Sequence, residues 1–389
     1  MQRHYGLDWL RIGAFAILIL YHIGMVFVPW GFHAKLGAEQ WVTVPMMLSN
    51  PWRLSLLFVV SGYASRALFV RHPGPWPFVR NRTARLLIPL VFGMAVIVPP
   101  QPWVELTTQH GYQGGFLPFW ASEYFRFRKL AGLDLPTWNH LWFVVYLWIY
   151  TLLFTAVLAV SPAGVRRRAQ RVFDLLFGGV GALVLPMAWL MIVSGLLFPG
   201  ARETHALAGD WVAHATYFPM FVLGFAMAGS ERVIATFARW WKVTAALAVV
   251  AYLVVAGVQV TFAEYRVTPR PFGTIFSLAR GVEGWMAIAA LIGIAENFWN
   301  RDHRWRPMLT EAVFPFYIIH QTIIVVVAYW LLLAGLPLAL DFVIMVAATV
   351  AGCWAFYLGG RRIAWLRPLI GLRLHRRRAD VPDPRPAVV

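Results

Sequence analysis

The stretch DWLRIGAFAILILYHIGMVFV, running from Asp8 to Val28, decides what kind of chain this is. It is apolar enough to cross a bilayer, yet it carries Asp8, Arg11 and His22, side chains that hydrocarbon rejects. Arg11 and His22 are eleven residues apart. On an α-helix they share one face, with His22 roughly 16 Å deeper. Asp8 falls on nearly the same stripe. A face with these three groups must turn toward a protein interior, a partner or a water-filled cavity. The chain therefore reads as a membrane protein with chemistry or transport inside it.

Composition agrees. Of 389 residues, 60% are hydrophobic and 13% charged, where a soluble chain carries about a quarter charged residues. The apolar runs are too frequent and too long for one soluble core, so the expected fold is all-α, a polytopic transmembrane helical bundle of about ten spans. The runs are 10–28, 52–70, 86–98, 140–160, 172–198, 211–228, 243–262, 275–298, 312–333 and 338–358. The third should stop at Pro99-Pro100, and the long fifth should tilt or kink at Pro186. A signal peptide fits the N-terminus less well than a retained first helix, because Pro29, Trp30, Phe32 and Lys35 follow the apolar run.

The formal charge of +17 does not point to nucleic acid. The basic residues sit in short clusters between apolar runs, as the positive-inside rule predicts. With the N-terminus in the cytosol, the cytosolic loops take the clusters Arg71–Arg85, Arg166–Arg171, Arg232–Lys242 and Arg301–Arg306, and the tail takes Arg361–Arg385. Few basic residues fall on the other side. Both termini are then expected in the cytosol. Residues 1–375 form the transmembrane domain, and the basic, Pro-rich 376–389 is expected to be a disordered cytosolic tail. A lone cysteine, Cys353, excludes an internal disulfide and a metal-thiolate cluster. No zinc spacing, phosphate-binding glycine loop or nucleophile elbow is present, so no metal is expected.

Several groups can carry chemistry. Asp8, Arg11 and His22 read as a polar path ending in an imidazole able to accept a proton, against the plainer reading of interfacial charges and a packed histidine. Arg80, Arg82 and Arg85 can fork onto phosphates, although topology signalling alone explains such clusters. Trp138, Asn139, His140 and Trp142 form either an interfacial aromatic belt or a platform for a sugar ring. His320, beside Tyr317 and Gln321, lies at about the depth of His22, so the two can share a cavity or simply pack. Ser61-Gly62 reads as a close-packing site, and Arg280 with Glu283 as an internal ion pair. Arg53 marks the start of the second run.

These motifs, taken in order, resemble the acyltransferase 3 family of integral membrane acyltransferases. Arg11 and His22 match the family's basic residue, ten residues, then His. Arg82-Thr-Ala-Arg85 matches its cytosolic Arg-x-x-Arg. Phe58–Tyr63, His140–Phe143 and Phe316–His320 also match, so the resemblance covers Tyr5 to about Leu358. Stretches at Ser61–Tyr63, Leu68–Pro73 and Tyr217–Gly224 are most similar to the branch that places succinyl groups on osmoregulated periplasmic glucans. Gln321 departs, standing where a second His is expected.

The resemblance implies a bacterial inner-membrane O-acyltransferase. It would carry an acyl group from cytosolic succinyl-CoA or acetyl-CoA to a hydroxyl of a periplasmic glucan or other envelope glycan. His22 would be the general base, with Arg11 lining the donor route, Asp8 orienting Arg11, and His320 stabilising the oxyanion or orienting His22. Arg80, Arg82 and Arg85 would hold the acyl-CoA phosphates. Trp138, Asn139, His140, Trp142 and Arg53 would receive the acceptor. Residue physics alone leaves two alternatives: a transporter or flippase for a glycan or lipid-linked intermediate, and a structural or sensory membrane protein.

Overall fold

The apolar runs become helices because a helix satisfies every backbone donor and acceptor within its own segment, which a hydrocarbon surrounding demands. The computed structural model describes residues 4–71, 74–263 and 268–374. From the N-terminus come α1 (Tyr5–Met25), α2 (Gln40–Met47), α3 (Arg53–Arg71), α4 (Pro75–Phe92), α5 (Pro100–Gln109) and the single turn α6 (Phe116–Pro118). A small antiparallel hairpin follows, β1 (Arg128–Leu130) with β2 (Leu133–Leu135). Then come α7 (Trp142–Val160), α8 (Ala163–Phe177), α9 (Gly181–Ile192), α10 (Trp211–Met227), α11 (Glu231–Thr261) and α12 (Phe272–Ile294). The last are α13 (Arg306–Ala334), α14 (Leu338–Gly360) and the short α15 (Leu366–Leu369).

The fold is the expected helical bundle, with strand confined, among the described residues, to that hairpin. Among the described residues eight helical segments can cross a membrane by length and composition, and the bent pair of α8 with α9 makes a ninth if taken as one span. The ten apolar runs fall one by one on these nine and on α10, whose 17 residues are short for a span. The protein is thus a multi-pass membrane protein. The tail expected from Arg376 lies outside the described residues, as do Arg3, His72, Pro73 and Arg266.

Proline interrupts the third run without ending it, since Pro75–Gln109 is one membrane-length segment, and it does not bend the fifth. The helix breaks at Val98-Pro99 after a π-helical stretch, Gly93–Ile97, and α5 restarts at Pro100, where a missing N–H costs nothing. Pro186 does not mark the sharp bend of the fifth run. The 91° turn falls between Phe177 and Gly181 instead. There Gly178 and Gly179 end α8, and Gly178 takes a position where an added Cβ would lie 2.2 Å from the Asp174 carbonyl oxygen. The result is an amphipathic α8 with no buried residue, its Arg166, Arg167, Arg168 and Arg171 on a surface helix that also exposes Leu175 and Val172. That is the form of a helix lying in a membrane interface.

Helix contacts rely on small residues. On α3 an added Gly62 Cβ would sit 2.0 Å from the Phe221 carbonyl oxygen. Reciprocally, a Gly224 Cβ on α10 would sit 1.9 Å from that of Val59. The paired glycines bring two backbones together, so Ser61-Gly62 is the close-packing site the sequence suggests. The main core is built by α1, α3, α7, α10 and α12 around Phe58, Tyr146, Phe221 and Trp285. At the end of α1 the Lys35 ammonium donates to the carbonyls of Met25 (2.7 Å), Trp30 (2.8 Å) and Val28, tying the following loop back to the helix.

The start of α1, the 295–310 segment and the chain after α14 share one face of the bundle. His4 Nδ1 pairs with Glu296 at 2.9 Å, Trp9 Nε1 donates to the Arg301 carbonyl at 3.2 Å, and α15 packs on α4. The two described ends of the chain are therefore on the same side.

Candidate active site

Helices α1 and α13 cross with Phe15 edge-on to Tyr317, and this contact brings His22 and His320 together. His22 Nδ1 lies 2.9 Å from His320 Nε2. His320 Nδ1 lies 2.8 Å from the Tyr317 carbonyl oxygen, which can only accept. The partners assign the protons: His320 carries its proton on Nδ1, so its Nε2 accepts from His22 Nδ1–H. That leaves the lone pair of His22 on Nε2, which has no hydrogen bond to any described residue. His320 is fully buried, whereas the His22 ring keeps some exposure. A backbone carbonyl, one imidazole and a second imidazole thus present a single basic nitrogen. The two histidines expected at one depth share one site.

A second network backs this pair. His140 Nε2–H donates to the Ile318 carbonyl at 3.0 Å, and its ring stands edge-on to His320 at 5.1 Å. Its Nδ1 faces the Gln101 amide at 3.3 Å. Gln101, fully buried on α5, donates to Thr322 Oγ1 at 2.7 Å and accepts from Asn139 at 3.1 Å and Gln321 at 3.0 Å. Gln321 Nε2 also meets His33 Nε2 at 3.1 Å, and His33 Nδ1 bonds the Glu105 carboxylate. The sequence reading missed Gln101, His33 and Glu105. They are polar residues in a loop and a short helix, with no periodic signal to single them out. Gln321, the departure from the family pattern, is the link between His33 and Gln101.

The aromatic mouth is more closed than a sugar platform requires. Asn139 and His140 turn inward to that network. Trp138 Nε1 donates to the His205 carbonyl at 3.0 Å, and His205 stacks on Trp142 at 4.1 Å with an 11° tilt, covering one face of the indole. The pair is held further by Glu203, which accepts from Tyr217 OH at 2.7 Å and meets His205 Nε2 at 3.2 Å. Arg53 differs from these four. It is 7% exposed, its guanidinium lies 3.3 Å from the centroid of the Tyr21 ring, and its Nε and Nη1 have no partner. It stands within electrostatic reach of His22.

Arg280 and Glu283 do not form the expected ion pair. Arg280 donates to Asn50 Oδ1 at 2.7 Å, and Asn50 donates to Tyr21 OH at 2.6 Å. Both Glu283 oxygens are buried without a hydrogen bond. Three residues of separation put the two on one helix face, but Asn50 competes successfully for the guanidinium.

At the opposite end the arginines gather. Arg82 buries Nε and Nη2 without partners, and Arg11 buries Nε likewise, with only a 3.4 Å contact from Nη2 to the Thr310 carbonyl. Arg82, Arg85 and Arg11 lie within electrostatic reach of one another. Leaving a charged donor buried and unbonded costs about 1–3 kcal/mol or more, so this cluster has the chemistry of an anion site. Arg80 is exposed and stands apart from it. Asp8 accepts from Arg306 Nη1 at 2.7 Å, and Arg306 also binds Asp302. Asp8 is therefore bonded to Arg306 and reaches Arg11 only through space.

Comparison with known proteins places these features. The family described as an acyltransferase domain, acyltransferase 3, matches residues 4–358. The glucans biosynthesis protein C of Escherichia coli strain K12 is 26% identical over 263 residues, covering 65% of this chain and 66% of that protein. The protein of the same description from Escherichia coli O157:H7 aligns with the same identity and coverage. The chain thus aligns with just under two thirds of the length of these relatives. No solved structure matches.

Proposed function

Because this chain belongs to the acyltransferase 3 family and is an acyl-transfer enzyme of the membrane, we propose that it moves an acyl group, succinyl or acetyl, from cytosolic acyl-CoA to a hydroxyl of a periplasmic glucan or other envelope glycan. The family match and the glucan-related name of the relatives support the reaction class and the acceptor class. The basic loops between helices support a bacterial inner-membrane setting with both ends of the chain in the cytosol.

The observation that carries the reading is the His22–His320 pair, with one free nitrogen, on the same helix face as Arg11. Acyl-CoA enters where Arg82 and Arg85 hold its phosphates, with Arg80 at the rim. Arg11 lines the route, and the pantetheine arm carries the thioester the roughly 16 Å to His22. His22 Nε2 takes the proton of the acceptor hydroxyl as its oxygen attacks the thioester carbonyl carbon. The tetrahedral intermediate collapses, the carbon–sulfur bond breaks, and His22 returns the proton to the departing thiolate. His320 Nε2, an acceptor in this tautomer, orients His22 and stabilises the imidazolium. Arg53 is the member of the acceptor set that faces the reacting centre, while Trp138, Asn139, His140 and Trp142 shape its wall. The buried carboxamides behind them need no change of protonation during turnover.

The test is acyl-CoA turnover by purified protein with a glycan acceptor, for wild type and a folded His22→Ala variant. Thioester consumption that vanishes in the variant supports the proposal. Undiminished transfer removes the base. Wild-type protein that moves glycan without consuming thioester would be a carrier.

A further inference from the structure

The family match stops at residue 358, but the described structure continues to Leu374. After α14 the chain turns back at α15 and closes as a hook against the face that carries the arginine cluster. Arg367, 6% exposed, holds the hook together: Nη1 donates to the Arg361 carbonyl at 2.8 Å and Nε to the Arg373 carbonyl at 2.7 Å. Nη2 reaches the Glu311 carboxylate on α13 at 3.6 Å. Ile370 and Leu372 bury themselves against Ala312 and Tyr357. Gly371 makes the turn possible. Its φ is +81°, and an added Cβ would lie 2.1 Å from the Phe314 ring. The hook thus grips α13 beside Thr310, the contact of Arg11, and packs on α4, the helix of Arg82 and Arg85.

Such anchoring delivers a cation to a place that already has three. Arg373 is exposed and comes within electrostatic reach of Arg85. The carboxylates near the cluster are turned elsewhere, Glu311 to Arg367 and Asp8 to Arg306. Four guanidinium groups around buried donors with no partners repel one another unless an anion lies between them. We propose that the C-terminal hook is part of the donor-binding site, with Arg373 as a phosphate-binding arginine that joins Arg11, Arg82 and Arg85. The inference rests on the acyl-CoA reading above. An anionic lipid headgroup offers the same phosphate chemistry, and the test must separate the two.

The full-length protein in neutral-lipid nanodiscs is titrated with free CoA, and the KM for acyl-CoA is measured in parallel. Arg373→Ala should weaken CoA binding and raise that KM about five- to tenfold, the range for one charge-assisted contact partly open to water. Arg373→Lys should recover part of the loss. Gly371→Ala should reproduce the KM rise without removing a charge, because it displaces the turn. Arg362→Ala, an exposed neighbour, should change neither. CoA affinity unchanged in both Arg373→Ala and Gly371→Ala overturns the hook's role and leaves the acyl-CoA reading standing. Failure of wild type to bind CoA overturns both. A phenotype of Arg373→Ala that appears only when phosphatidylglycerol replaces the neutral lipid assigns the arginine to a headgroup and also rejects the proposal.

Discussion

The two ends of the His22 helix are built on opposite principles. At its C-terminal end the network behind the histidine pair is closed, Gln101 alone joining Asn139, Gln321, Thr322 and His140, and Arg53 is the exception, with two buried nitrogens unpartnered. At its N-terminal end buried guanidinium atoms of Arg11 and Arg82 have no partner. A saturated network fixes one geometry and leaves nothing for a ligand to satisfy. An unsaturated one is costly until a ligand arrives, so it binds. Rigid positioning and ligand capture are thereby separated along one helix, with His22 at the rigid end.

The largest test of this division lies at the rigid end. His22→Ala should lower kcat by about 10²- to 10⁴-fold, the range for a positioned general base. The residual rate should also lose the wild-type decline at acid pH, since an imidazolium cannot accept the hydroxyl proton. A residual rate with the wild-type pH profile would place the base elsewhere. His320→Ala should come next, lowering kcat about 100-fold with little change in KM, because His22 loses the acceptor that fixes its tautomer. If KM moves instead of kcat, the pair belongs to binding.

The contrast sharpens when one polar residue at each end is made apolar. Gln101→Leu strands the partners of a closed network and should cost about 2–3 kcal/mol of stability, read as a lower unfolding temperature. Arg82→Met removes an unpartnered buried charge and should raise the unfolding temperature of the CoA-free protein. The same change should raise the KM for acyl-CoA about tenfold or more. Destabilisation by both variants would mean that the arginine cluster is as structural as the glutamine network, and the division would fail.

Sequence reading recovered the elements that depend on local pattern. Long apolar runs, the Gly62 packing site and the Arg11–His22 stripe are all legible from spacing, because a helix converts spacing into a face. What escaped depends on contacts between distant segments. His33 and Glu105 are 72 residues apart and carry no periodic signature. Asn50 takes Arg280 away from Glu283 across 230 residues. The 91° bend fell at a glycine pair because a proline within a helix can be absorbed, whereas two consecutive glycines leave the helix without side-chain support. Arg373 was counted only as one more basic residue of the cytosolic chain end, and the buried Arg367, which donates to its carbonyl, is what ties it to the bundle.

The smallest expected effect concerns Asp8, and it tests how the arginine end is wired. The carboxylate bonds Arg306, which keeps Asp302 as a second partner on its other nitrogen. Asp8→Asn retains an acceptor oxygen and removes one charge of two. Stability should fall by no more than about 1 kcal/mol, since the carboxylate is partly open to solvent and the pair is screened. The KM for acyl-CoA should stay within about twofold of wild type, because Arg11 donates no hydrogen bond to Asp8. Arg11→Ala, measured alongside, should raise that KM about tenfold. If Asp8→Asn matched Arg11→Ala in KM, the carboxylate would be orienting Arg11 through space. The arginine end would then have a built-in counter-ion, and its charges would no longer be waiting for a ligand.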